Sequence, residues 1–578
     1  MLGKKIVSKL KGFPLAAKTV GRLLRNPLTL EHWTRVLESK EWELQTDEND
    51  IMPALKLSYD YPPFHLQQCF YYCALFPEDY EFDGKELVHL WIGLDILQPC
   101  DQNRSIEDVG LSNLNDLVDQ GFLKKNERAH GCPYYVVHDL LHDLAVNISA
   151  IECLSISSTN VKSIQITQHV RHLSIIVDNK DVEDRKSFKN YKNELVALNN
   201  RLKVENLRTL MLFGEHHGSF AKTFGDLFEK ATALRTIYLF GASYNVEDML
   251  CNFSKLVHLR YLRIKSKYWE DRCLMSALSR LYHLEVIDIQ EWKGCSGSTR
   301  DISNLVKLRH FLVPKDSLQL HSNVVEVGKM KLLSELRSFE TGKEGKGFEL
   351  SQLGQLSELG GSLSIRNLEK IQAIEEAGEA KLIHKNRLHK LTLEWDATRC
   401  NKDATCEENA LEILQPHSNL QDLCIRGHGG SNCPKWLGES ISVKSLESLH
   451  LDDVSWKDFP PLGELWLINE HGEYCQGCIP GQSFSNLKRL ELVNISNLKK
   501  WAGNCPCDLF SHLEVLIIKD CPELVELPIS HHSCFQPKQE INMAWFPRLQ
   551  SLEILNCLKL VSLPRVPWTS NPCSANIR

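Results

Sequence analysis

The stretch Tyr134-Tyr-Val-Val-His-Asp-Leu-Leu-His-Asp-Leu-Ala145 divides the chain: residues before it read as short helices and residues after it as repeats. Four β-formers follow the turn signal Gly131-Cys-Pro133. Leu140, Leu141, Leu144 and Ile148 then recur at helical spacing, so a strand hands over to a helix near Asp139. Asp139 reads as the N-cap. His138 precedes it and stands by the positive end of the helix, where free backbone N–H groups favour an anion, so a phosphate contact is expected there. On residue type alone, an exposed strand-end histidine is the commoner reading. His138 and His142 also stand at i and i+4, the spacing of a helical zinc motif. The metalloprotease version places Glu second as general base, whereas Asp139 is one methylene shorter and His138 lies before the helix, so no metal is expected.

The 578 residues suffice for several domains, or for a small domain plus a solenoid. A net charge of -7 argues against nucleic acid as the main partner, because a binder that neutralises many phosphates carries a basic excess. No apolar run reaches the roughly 18 residues of a membrane span. The basic start, Met1-Leu-Gly-Lys-Lys-Ile6, has no signal-peptide core and reads as a solvated helix face. Twenty cysteines without a secretory signal read as reduced thiols, and the close pairs Cys475/Cys478 and Cys505/Cys507 lack a second pair at zinc-ribbon spacing. A cytoplasmic or nucleo-cytoplasmic protein is expected.

Before the seam, Gly12-Phe-Pro14 and Asn26-Pro27 break two helical patterns, and Trp33, Val36 and Leu37 form one apolar face. Residues 51–60 read as a helix capped by Asp50, with Pro53 tolerated in its first turn. Residues 66–76 are apolar almost all round and predict one buried helix. Leu87, Leu90, Trp91, Leu94 and Leu97 predict another, and Ser105-Ile-Glu-Asp108 is a capping-box match ahead of a third. Phe122-Leu-Lys-Lys125 and Tyr134-Tyr-Val-Val137 pair as a hairpin. Helices closed by a hairpin, with a further helix behind, describe a winged helix. Its candidate recognition helix, residues 107–119, is acidic, which points to protein interaction or switching and away from DNA.

Gly12-Phe-Pro-Leu-Ala16, Leu55-Lys-Leu-Ser-Tyr-Asp60, Cys69-Phe-Tyr-Tyr-Cys-Ala-Leu-Phe-Pro-Glu-Asp-Tyr80 and Val137-His-Asp139 stand in one order and spacing across about 140 residues. In this the chain resembles the C-terminal half of the nucleotide-binding switch of plant intracellular nucleotide-binding, leucine-rich-repeat disease-resistance proteins, closest to their coiled-coil class. The resemblance implies that Pro14 and Leu15 help wall a nucleotide site. It also implies that His138 reads the ADP β-phosphate and, with Asp139, holds the switch closed. Phe13 and Val137 replace the usual Leu and Met, and Trp91-Ile-Gly-Leu-Asp95 lacks the usual Ala-Glu-Gly ending. No Gly-x-x-x-x-Gly-Lys-Ser/Thr occurs anywhere. The resemblance therefore implies an N-terminally truncated receptor or an incomplete gene model, weak or absent ADP and ATP binding, and no ATPase activity.

After the seam, one template recurs: Leu-x-x-apolar-x-apolar, beginning at Leu207, Leu234, Leu259, Leu284 and Leu308, and again at Leu388, Leu420, Leu446, Leu487, Leu513 and Leu549. The first five lie about 24 to 27 residues apart, the leucine-rich-repeat period. Apolar positions point into a stacked core, and the x positions of the concave sheet project toward solvent, where they can read a partner. The endings at Leu527-Pro528 and Leu563-Pro564 fit the irregular plant type, residues 361–395 resemble a repeat-plus-helix insert with residues 373–385 helical, and loops such as residues 472–482 bulge from the rim.

The fold expected is α+β and multidomain. Residues 1–45 are the helical remnant of the nucleotide switch, 46–150 a winged helix, 165–566 a leucine-rich-repeat α/β solenoid and 567–578 a tail. The function expected is a non-enzymatic sensor in plant defence, binding a pathogen effector or a host protein on its concave face, with a full-length receptor as a second partner. The alternative is a nucleotide-independent adaptor or decoy. A ubiquitin-ligase substrate receptor would need an F-box-like module where the switch motifs stand, and a zinc hydrolase would need stoichiometric metal.

Overall fold

All eleven template matches land on parallel β-structure in the computed structural model. The structure describes residues 2–25, 27–44, 50–97, 104–129, 131–161, 163–177, 193, 202–214, 227–240, 253–265, 274–292, 297–343, 345–371, 373–399, 403–438, 441–456, 465–468, 486–498, 500–503, 512–525, 548–561 and 573–578. The Cys475/Cys478 and Cys505/Cys507 pairs, the 472–482 loop and the Leu-Pro endings lie outside the described residues. The chain forms two compact units, residues 1–297 with 312–317, and residues 298–311 with 318–578.

The first unit opens with α1 (Leu2–Lys9), α2 (Pro14–Leu23) and α3 (Leu30–Leu37). Pro14 starts α2, where its missing N–H costs nothing, and Thr29 caps α3 by accepting from His32 N. The winged helix follows with α4 (Met52–Asp60), α5 (Phe64–Tyr71), α6 (Gly84–Gly93), α7 (Ile106–Gln120), the antiparallel hairpin β1 (Lys124–Glu127) and β2 (Pro133–Val136), and α8 (Asp139–Ser149). The N-cap of α4 is Ile51 and not the expected Asp50, which stands one residue further out and accepts from Met52 N at 3.0 Å; the capping box of Ser105 and Asp108 is formed. The helix expected over residues 66–76 is instead α5 followed by a 3-10 turn, Tyr72–Leu75. The tighter turn sinks Cys73, Leu75 and Phe76 together into the core. Trp91, fully buried, donates its indole N–H to Cys69 O at 3.1 Å.

Six parallel strands complete this unit: β3 (Cys153–Ile156), β4 (His172–Ile176), β5 (Thr209–Phe213), β6 (Thr236–Phe240), β7 (Tyr261–Lys265) and β8 (Val286–Asp288), paired in that order. Leu210, Ile237, Leu262 and Ile287 stack in register as one buried row. The sheet thus begins at Cys153, before the boundary expected at residue 165, because Cys153 to Ile156 pair with β4 without needing the full leucine template. The division into units also falls inside the repeats, since the winged helix packs on the first of them.

In the second unit, His310 of β9 (His310–Leu312) bridges Glu335, which bridges Gly360. A parallel sheet then runs through β10 (Ser338–Glu340), β11 (Gly361–Arg366), β12 (Leu388–Glu394), β13 (Asp422–Arg426) and β14 (Ser448–Asp452). Between β14 and the next repeat strand comes β15 (Leu465–Ile468), which pairs antiparallel with β17 (Lys500–Gly503). The sheet itself continues through β16 (Arg489–Val493), β18 (Val515–Lys519), β19 (Ser551–Leu555) and β20 (Ser574–Ile577). The helix expected over residues 373–385 is two short pieces, Ile374–Glu379 and the 3-10 turn Leu382–His384. β20 corrects the frayed tail expected over 567–578: Ser574 to Ile577 add to the open edge of β19, and Asn556 N donates to Arg578 O at 3.0 Å. Backbone pairing at a sheet edge asks nothing of the side chains, so no leucine pattern announces it.

Candidate functional site

The strand-to-helix corner at the seam is built by His138. With extended backbone (φ -69°, ψ 142°) it is itself the N-cap of α8, and its Nδ1 accepts from Leu140 N at 3.4 Å. Asp139, expected as the cap, is instead the first helical residue, where its charge suits the helix dipole. With Nδ1 accepting, Nε2 is left as the donor of the ring. His138 is exposed, yet it lines a cavity of about 520 Å³ together with Leu15 of α2. Pro14, one residue earlier, is exposed and is not part of that lining. The structure therefore brings together Leu15, His138 and Asp139, and leaves Pro14 outside.

Four basic side chains, Lys18, Arg22, Lys124 and Lys125, line the same cavity against two carboxylates, Asp79 and Asp139. Gly121 makes this possible: with φ 87° it ends α7 in the left-handed region and turns the chain into β1, which carries Lys124 and Lys125 to the rim. Any Cβ at that glycine would stand 1.9 Å from Arg22 Nη1, which donates to Val118 O at 3.3 Å. A cavity with an excess of fixed cations, beside a helix N-terminus, is chemically an anion site.

His142 has a different task. Its Nε2–H donates to Phe76 O at 2.8 Å and ties α8 to the end of the 3-10 turn. Among the described residues, one group has metal-ligand proximity, Glu78, His142 and Asp143, with candidate atoms within 4.8 Å of one another and both carboxylates exposed. His138 is not in it, so the i, i+4 histidine pair does not assemble.

The face expected to be open to a partner is covered in the first unit. Phe76, Tyr80 and Glu86 of the winged helix lie on the outward row of β5, β6 and β7: Phe76 and Tyr80 pack on Phe213, Phe76 on Tyr238, and Glu86 meets Tyr238 and Arg263. Met211, Tyr238 and Tyr261 are 0% exposed. At the centre, Glu86 Oε1 accepts from Tyr238 Oη at 2.6 Å and from Tyr80 Oη at 2.8 Å. Arg263 pairs with Asp288 at 2.9 Å and reaches Glu86 at 3.5 Å, while Asp95 pairs with Arg260 at 2.8 Å. Burial, with Glu86 alongside, raises the Tyr80 and Tyr238 phenols, so both stay protonated donors. The helix end that departs from the usual Ala-Glu-Gly wording thus has its own contact, with Asp95 in the left-handed region (φ 62°) holding Arg260.

A Cβ on Gly93 would stand 2.3 Å from Tyr261 Cβ. Gly93→Ala is therefore expected to cost about 1–3 kcal/mol by overpacking this contact. Denaturant melts of the variant check it, and a midpoint equal to wild type would mean that the approach of α6 to β7 is loose.

In the second unit the corresponding positions carry opposite charges in successive strands. Arg366 lies 3.7 Å from Glu340 and 3.1 Å from Glu394, Arg426 lies 3.5 Å from Asp452, and Lys390 pairs with Asp422 at 2.6 Å. His450 Nδ1 pairs with Glu491 at 3.0 Å.

Family models match both parts: a disease resistance protein winged helix domain over residues 75–145, and R13L1/DRL21 leucine-rich repeats over residues 350–471. The chain is 31% identical over 536 residues to the putative disease resistance protein RGA1 of Solanum bulbocastanum, covering 91% of this chain and 49% of that protein. It is 29% identical to RGA4 of the same plant, over 98% of this chain and 54% of RGA4, and 27% identical to the putative disease resistance RPP13-like protein 1 of Arabidopsis thaliana, over 90% and 50%. Its homologues are plant disease resistance proteins. The chain spans about half the length of the curated relatives it matches. Among solved structures it aligns with the Arabidopsis receptor kinase HAESA at 13% identity, over 71% of this chain and 72% of that one, with a TM-score of 0.34.

The disease-resistance winged helix match contains Tyr80, Glu86 and His138, the residues on which both the cavity and the covered sheet depend. Arg263, Lys124 and Lys125 fall in a repeat template and a hairpin that give them no particular role, and Lys18 belongs to no motif. The nearest signal is the basic pair Lys124-Lys125 straight after a helix-ending glycine. No helix among the described residues is long and apolar enough to cross a membrane.

Proposed function

We propose that the chain is the latch-and-sensor part of a plant immune receptor, acting in the cytoplasm without enzymatic activity of its own. The observation that carries this is the cavity shared by Leu15 and His138 under Lys18, Arg22, Lys124 and Lys125. Its charge suits the diphosphate of ADP, and the Nε2–H of His138 suits a phosphate oxygen. A protein ligand, whether a pathogen effector or a host protein, is read on the second unit. There the strands β11 to β14 present paired charges that a partner can break and remake. Ligand binding then biases the winged helix through the repeats it packs on.

With no Gly-x-x-x-x-Gly-Lys-Ser/Thr in the sequence, this cavity supplies only part of a phosphate cradle. Calorimetric titration of the purified chain with ADP is expected to show weak binding, which Lys124→Glu with Lys125→Glu weakens about tenfold or more, as does His138→Ala. No phosphate release from ATP is expected. Tight ADP binding that ignores all three substitutions would defeat the latch reading. The charge pairs of β11 to β14, which need no nucleotide, also suit a second reading, a nucleotide-independent adaptor or decoy. Complete lack of ADP binding by a folded chain, with retained ligand binding to the repeats, would select it.

A further inference from the structure

We infer that Cys521 and Cys557 form a dithiol that hydrogen peroxide closes to a disulfide between two successive repeats. β18 and β19 pair in parallel with Lys519 opposite Leu555. The next residues, Asp520 and Asn556, both adopt the left-handed region (φ 53° and 56°), and Asn556 Nδ2 donates to Asp520 Oδ1 at 2.8 Å. The two chains thus leave the sheet by the same turn and deliver Cys521 and Cys557 to equivalent places. In earlier repeats that place is a buried apolar slot, filled by Val454 and Ile495 after the left-handed Asp453 and Asn494. Here it holds two stacked thiols. Neighbouring strands lie roughly 4.8 Å apart, inside the Cα separation of about 4.4–6.8 Å that a disulfide tolerates.

The two sulfurs differ in access. Cys521 is 0% exposed, whereas Cys557 is partly open. The Cys521 S–H donates to the Lys519 carbonyl at 3.3 Å, and the Cys521 side chain beside the Cys557 sulfur lowers the Cys557 pKa to about 7. Cys557 is the attacking thiolate and Cys521 the resolving thiol. The Cys557 thiolate attacks one peroxide oxygen, the O–O bond breaks, and the leaving hydroxide takes up the released proton as water. The Cys521 sulfur then attacks the sulfenic sulfur and expels hydroxide, which takes the Cys521 proton. Two thiols and one peroxide give one disulfide and two waters.

The test treats the native chain with hydrogen peroxide, blocks remaining thiols with N-ethylmaleimide and maps the digest by mass spectrometry. The expected product is a Cys521–Cys557 peptide pair two hydrogens lighter than the sum of its parts, reversed by dithiothreitol, with Cys573 still alkylated. In Cys521→Val, where valine fits the slot as Val454 does, Cys557 should stop at the sulfenic acid. Its capture by dimedone should then rise several-fold over wild type. Dimedone capture of wild-type Cys557 with Cys521 still free, or peroxide cross-links spread evenly over other cysteines, would overturn the assignment and leave the pair as packing residues.

Discussion

Arg263→Ala is expected to lower the stability of the first unit by about 3–5 kcal/mol, the cost of stranding buried charge. Arg263 is 11% exposed and faces Asp288 and Glu86, each 5% exposed at the side chain. Burial works against its positive charge, but Tyr238, Asp288 and Glu86 together raise its pKa well above the ordinary arginine value. Two buried carboxylates, with the more exposed Glu291 at 3.4 Å, outnumber one guanidinium, and the Tyr80 and Tyr238 hydroxyls supply further hydrogen bonds to Glu86. Remove the arginine and both acids lose their counter-charge while the phenols can satisfy only one of them. Urea melts followed by fluorescence would measure the loss. Arg263→Met combined with Glu86→Gln and Asp288→Asn should recover a good part of it, because that combination removes all three charges together. A melt of Arg263→Ala matching wild type would mean that water already reaches the group and that the winged helix does not seal the sheet.

That seal marks where the sequence could be read and where it could not. Repeat periodicity located the strands because each buried leucine is tied to its own backbone position. The cap of α7 was legible for the same reason, since Ser105 and Asp108 satisfy each other within one turn. Strands β4 and β10 match the template imperfectly: Val170 stands where the leading leucine belongs in one, and Thr341 where the last apolar residue belongs in the other. Solvent exposure of the x positions is not a local property, and there the template misleads. Yet a trace is present. At the last x position and the residue just after the template, the early repeats carry Met211, Phe213, Tyr238 and Phe240, while later ones carry Thr392, Glu394, Arg426 and Asp452. Aromatics on a supposedly wet face need a cover, and the winged helix provides it. His138 was placed correctly beside a helix end, but its cavity partners come from α2, α7 and β1, which only the fold brings together.

Acid should weaken the second unit well before its carboxylates titrate. His321 and His428 are buried neutral, with burial pressing each pKa down to about 4. Both also use Nδ1 as an acceptor from a fixed donor: Arg337 N reaches His321 Nδ1 at 2.9 Å, and the Trp456 indole reaches His428 Nδ1 at 2.9 Å. His321 spends its remaining N–H on Phe311 O at 2.6 Å. Protonation therefore costs each ring its burial and also sets one N–H against another. In the unfolded chain the same groups titrate near pH 6.5. Below that pH the unfolded state takes up protons that the folded state refuses, so the stabilisation is complete above about pH 6.5 and is lost as pH falls toward 4. Each histidine contributes a slope of up to about 1.4 kcal/mol per pH unit in that window. Over the whole window that is about 3 kcal/mol apiece, a large part of the stability of any single domain. Calorimetry of unfolding at pH 5.5, in buffers of different ionisation enthalpy, should show about two protons taken up by this unit beyond the number at pH 7.5. Equal uptake at the two pH values would mean that the rings already exchange protons with solvent in the folded state, and that His428 and His321 are not fixed acceptors for Trp456 and Arg337.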